Sequence, residues 1–97
     1  MGFVLEDDFL KLTNAEVKRY YKGDVILTEG DRSQYFLYLK EGELSVFNFS
    51  EKGKELLQHK VKEGRFFADP AILLDQPVPA NVQVCSEKVE IVKVQRD

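Results

Sequence analysis

FFADPAILLDQPVPANV, Phe66 to Val82, holds all three prolines of the chain and reads as a strand end, one helical turn and a loop that returns into a strand. Pro70 suits the first helical position, because its φ is fixed near the helical value and its missing N–H would have had no partner there. Asp69 before it is the expected N-cap, and Ala71, Ile72 and Leu73 supply the first N–H groups. Those groups have no partner inside the helix and carry partial positive charge, so a phosphate-sized anion suits the turn. The loop Pro77-Val78-Pro79-Ala80 is stiffened by two prolines, and Pro79 offers no N–H to a ligand.

Outward from this stretch, the chain is punctuated by glycines at 23, 30, 42, 53 and 64, each among charged residues and each separating β-branched, leucine or aromatic runs. The spacing predicts seven strands: Val17 to Tyr21, Val25 to Thr28, Phe36 to Lys40, Leu44 to Ser50, Glu55 to Val61, Asn81 to Cys85 and Val89 to Val94. Phe36-Leu37-Tyr38-Leu39 is apolar throughout, the pattern of a strand covered on both faces. Glu51-Lys52-Gly53-Lys54 is the clearest hairpin turn, since glycine takes the positive φ that a tight reversal needs. Before the strands, Leu5, Phe9 and Leu12 fall at helical spacing behind Glu6, Asp7 and Asp8, which predicts a short amphipathic helix over about residues 3–12. Many short strands with turns between them indicate a sandwich, barrel or jelly roll.

The 97 residues suffice for one domain with one core. Seventeen acidic against fourteen basic residues give a net charge of −3, which argues against direct nucleic-acid binding. No apolar run approaches the roughly 20 residues that span a bilayer, and no export signal opens the chain, so no membrane partner is expected. The single cysteine, Cys85, cannot form an internal disulfide and suits a reducing cytoplasm, the expected location.

In order as well as in kind, these segments resemble the cyclic-nucleotide-binding domains of the Crp/Fnr type, the family of the catabolite activator protein. Tyr21-Lys22-Gly23-Asp24-Val25-Ile26 with Glu29-Gly30-Asp31 resembles the opening hairpin, and Phe36 to Leu44 the next strand and turn. Gly53-Lys54-Glu55 and Glu63-Gly64-Arg65-Phe66-Phe67 then lead into the phosphate-binding cassette. The resemblance covers about residues 17–94 and implies a mainly β fold, a double-stranded β-helix or jelly roll of eight strands, with a short N-terminal helix and a one-turn helix in the cassette. It implies ligand contacts at Phe67, Ala68, Asp69, Pro70, Ala71, Ile72, Val78, Pro79, Ala80 and Asn81. Asp69 stands where the family has a glutamate for the ribose hydroxyl, and Ala68 where it has a glycine that lets the backbone approach the ligand. Val78 stands where it has the arginine that clamps the phosphate; valine cannot donate a hydrogen bond, so cyclic-nucleotide binding is expected to be weak or altered. The family's dimerisation helix and DNA-binding domain have no counterpart before Asp97.

The remaining polar residues read more plainly. Arg65 could stand in for the missing clamp, but a solvated arginine at a strand end is the simpler reading, as it is for Arg32 and Lys60. His59 is read as a packed or half-exposed strand residue, and Cys85 as an inert one. A lone histidine is too few for a metal, and no Ser-His-Asp, Cys-His or glycine-rich nucleotide motif is present, so a cupin-like enzyme is disfavoured. Two functions stay open: an effector-sensing domain of a transcription regulator that takes a cyclic nucleotide or another small anion, and a ligand-free domain for structure or protein interaction. A jelly roll lacking its covering helix is also expected to expose an apolar strip and to self-associate, as in a homodimer.

Overall fold

The computed structural model describes residues 15–67, 71, 72 and 74–95. The predicted helix over residues 3–12 lies outside them. The described residues form eight strands: β1 (Glu16–Tyr21), β2 (Val25–Leu27), β3 (Tyr35–Glu41), β4 (Glu43–Phe49), β5 (Glu55–Lys62), β6 (Arg65–Phe67), β7 (Asn81–Val84) and β8 (Lys88–Gln95). They make two antiparallel four-stranded sheets, in the orders β1-β8-β3-β6 and β2-β7-β4-β5, the architecture of a jelly roll. The strand missed by the seven-strand reading is β6, three residues long, which the sequence marks only as a strand end.

Between the sheets lies a core of Leu37, Leu39, Phe67, Val89 and Ile91 from the first, and Leu27, Leu44, Val61, Val82 and Val84 from the second. Alternation along each strand sends these side chains inward. The continuous apolar run in β3 has the expected explanation. Leu37 and Leu39 face the core, while Tyr38 lies on the opposite face, buried, with its ring 5.0 Å from that of Phe66 in an edge-to-face pair.

The chain changes sheet at nearly every connection, and two groups of corners hold the sheets in register. At one end Gly42 is the sole residue between β3 and β4, at φ +98°. The β7–β8 corner docks there: Cys85 and Ser86 donate N–H bonds to the Glu43 carbonyl, and Ser86 Oγ accepts from the Glu43 N–H at 3.0 Å. At the other end the turn after β2 binds the loop before β7. Gly30 N–H donates to the Val78 carbonyl at 2.9 Å, and Val78 N–H donates to the Asp31 carbonyl at 2.7 Å. The hairpin between β4 and β5 closes as the sequence indicates, with Gly53 at φ +81° and its N–H bonded to the Ser50 carbonyl.

Candidate functional site

The second half of the opening segment is built into the fold by its own backbone. Ala71 and Ile72 are helical, and the turn closes through Gln76 N–H to the Ala71 carbonyl at 2.8 Å and Asp75 N–H to the Ile72 carbonyl at 3.2 Å. Asp75 takes a left-handed φ of 53°, a conformation aspartate tolerates better than most residues. Arg32 reaches across to the Asp75 carbonyl and lies 3.8 Å from its carboxylate, which ties the helical turn to the loop after β2. Arg32 therefore has a partner rather than only solvent.

Beside this segment, β5, β6 and the loop 77–80 enclose a cavity of about 290 Å³. That is near the lower end of the roughly 300–1,000 Å³ typical of small-molecule sites. Its floor is apolar, from Val46, Val61 and Val82. Val78, Pro79 and Ala80 form the loop wall, and Phe67 extends the apolar surface along β6. The polar residues on the wall are His59, Lys60 and Arg65, and no acidic residue lines it among the described residues. Lys60 lies 3.7 Å from the Glu43 carboxylate.

The sequence-derived site residues divide accordingly. Phe67, Val78, Pro79 and Ala80 line the cavity. Ala68, Asp69 and Pro70 lie outside the described residues. The side chains of Ala71 and Ile72 are buried and do not reach the described cavity wall, Ala71 packing in the core. Asn81 is buried with both ends of its amide engaged: Oδ1 accepts from the Glu29 N–H at 2.9 Å, and Nδ2 donates to the Phe47 carbonyl at 3.3 Å. It joins β4, β7 and the turn after β2 and does not line the cavity.

Val78 is only 3% exposed and belongs to the core, so the position lacking a hydrogen-bond donor is also an apolar plug. His59, read as packed or half-exposed, is exposed on the outermost strand of its sheet, because among the described residues β5 has a paired strand on one side only. Arg65 is exposed too, but on the cavity rather than on an outer face. Cys85 is half-buried with Sγ 3.4 Å from Glu43 Oε1. Among the described residues no group of three or more His, Cys, Asp or Glu side chains is placed to hold a metal ion.

The family model for the cyclic nucleotide-binding domain matches residues 17–97. The chain belongs to the cyclic nucleotide-binding domain family. A cAMP-dependent protein kinase regulatory subunit of Hypocrea atroviridis is 37% identical over 78 residues, which are 79% of this chain and 16% of that protein. The chain thus spans about a sixth of this relative's length. Among solved structures, a transcriptional regulator of Thermotoga maritima is similar with a TM-score of 0.78 at 27% identity, over 94% of this chain and 70% of that one. The regulatory domain of Toxoplasma gondii PKA, co-crystallised with cAMP, has a TM-score of 0.81 at 23% identity, over 96% of this chain and 36% of that one. The resemblance read from the turn glycines and the cassette is the family the chain belongs to, and Crp/Fnr-type regulators are among its structural neighbours.

Proposed function

We propose that this cyclic nucleotide-binding domain is the effector-sensing part of a cytoplasmic Crp/Fnr-type transcription regulator. It takes a cyclic nucleotide, or a related organic anion, into the cavity beside the cassette, and holds it less tightly than relatives with an arginine at the position of Val78. The observation that carries the reading is the make-up of the cavity wall: apolar surface from Val46, Val61, Val82 and Phe67, with His59 and Arg65 as the polar residues on the inward phase of their strands. An apolar floor suits a base and sugar ring, and a cationic wall suits a phosphate. Asp69 is proposed to face the ribose as the family's glutamate does. The reading contains no catalytic step.

The weakening follows from one side chain. A charge-assisted hydrogen bond contributes about 1.5 to 3 kcal/mol, so its absence at Val78 lowers affinity by about ten- to a hundred-fold. Calorimetric titration of the chain with cyclic AMP and with cyclic GMP is expected to give heat at millimolar ligand, reduced in Asp69→Ala. Val78→Arg is expected to tighten binding about tenfold or more, since position 78 lines the cavity and the new guanidinium can project into it. If neither ligand gives heat at millimolar concentration, the sensing reading falls. The alternative, a ligand-free domain for structure or protein interaction, is favoured by the packing of Val78 into the core and by its loop being bonded in both directions to Gly30 and Asp31.

A further inference from the structure

Strand register puts an arginine and a histidine where alternation calls for apolar side chains. In the β3–β6 pair Leu37 stands opposite Phe67 and Leu39 opposite Arg65. Directly opposed residues of antiparallel strands project from the same face of the sheet. Leu37, Leu39 and Phe67 all pack in the core, so Arg65 also projects on the core side. In the β4–β5 pair Leu44 stands opposite Val61 and Val46 opposite His59. Leu44 and Val61 are core residues and Val46 packs against them, so His59 shares their inward side. Each strand thus carries a buried apolar residue deep in the cavity, Phe67 or Val61, and a cationic or basic one two positions away, toward its exposed part.

A charged group directed into an apolar cavity is costly to desolvate unless it meets an opposite charge or keeps water. Arg65 has no ion pair among the described residues, although acids outnumber bases in the chain, and no carboxylate lines the described cavity wall. Lys60 differs on both counts. It stands opposite Ser45, in the outward phase, and already has Glu43 as a partner.

We infer that Arg65, assisted by His59, is the anion-binding group of this cavity and holds the ligand's phosphodiester or carboxylate from the β5–β6 wall, opposite the apolar loop of Val78. The assignment rests on the cavity being the ligand site. The planar guanidinium offers parallel N–H donors that match two anionic oxygens at once, a geometry lysine lacks. The fitting ligand class is therefore a small organic anion whose apolar body lies on Val46, Val61 and Val82; a neutral ligand leaves the Arg65 charge unused.

Two measurements test this. In titrations with cyclic AMP, Arg65→Gln is expected to weaken binding about ten- to a hundred-fold, Arg65→Lys to fall between it and the unaltered chain, and Lys40→Gln, which removes a cation away from the cavity wall, to stay within about twofold. Thermal unfolding of each variant shows whether it is folded. Separately, the unaltered chain labelled with ¹⁵N is titrated with inorganic phosphate while the Arg65 Nε–H and His59 ring signals are followed. Saturable shifts of both are expected. If the chain binds cyclic AMP and folded Arg65→Gln binds it equally well, the Arg65 assignment falls while the sensing function stands. If cyclic AMP gives no heat but phosphate moves both signals, the anion site stands and the cyclic-nucleotide reading falls. If phosphate moves neither signal, the anion site is overturned.

Discussion

At Gly42 the chain passes from β3 to β4 within one residue, and a Cβ there would lie 2.5 Å from the Lys88 carbonyl oxygen and from Val89 Cγ1. Gly53 has a similarly positive φ, but nothing lies within 4 Å of the position a Cβ would take. An alanine at either glycine meets the left-handed conformational cost of about 1–2 kcal/mol, and only at Gly42 must backbone and a core valine also move. Urea unfolding is expected to show Gly53→Ala destabilised by about 1 kcal/mol and Gly42→Ala by about 3 kcal/mol or more. Both glycines read alike in the sequence, as turn residues among charges, because the atoms that distinguish them belong to a corner more than forty positions further along the chain. The same limit governed the site. That Val78 carries no donor is legible in one residue, whereas the inward phase of Arg65 appears only once β6 is aligned with β3. Asn81 sits beside the cassette in sequence, yet its amide is engaged by Glu29 and Phe47, and neither partner is adjacent in the chain.

Among the elements, β5 differs most from its reading as an ordinary strand. Its length and its turn were legible because a hairpin is local: Gly53, the flanking charges and two apolar runs suffice. Its position at the edge of a sheet was not, since sheet order depends on which distant strands pair. Among the described residues it is an edge strand with no strand paired on one side, beside Leu57 at 60% and Phe49 at 55% exposure, with Leu56 between the two in the hairpin. Exposed apolar side chains next to an open strand edge favour pairing with another copy. Sedimentation or light scattering over a range of concentration is expected to show reversible self-association of the chain, diminished in Leu57→Glu. A strictly monomeric species at high concentration would contradict this. The short β6 was visible only as a strand end, because three residues carry too little alternation to read and its partner β3 is remote.

For the molecule as a whole, the fold was legible through the order of its turns, and the pairing of its strands was not. Every pairing except β4 with β5 joins strands that are not consecutive in the chain. The pairing with the greatest separation is β1 with β8, where Glu16 stands opposite Lys93. The first and last strands therefore lie side by side, with residues near the two ends of the described chain separated by about 5 Å, the spacing of opposed strand residues. Linear order is thus partly dispensable to this architecture. A circular permutant that joins the two ends through a short flexible linker and opens the chain between Lys52 and Gly53, in an exposed turn, should keep both sheets and the cavity. Its far-ultraviolet circular dichroism is expected to match that of the original chain, and its new termini would put fusion partners at the Glu55 end of β5, the strand whose other half lines the cavity, instead of beside β1 and β8.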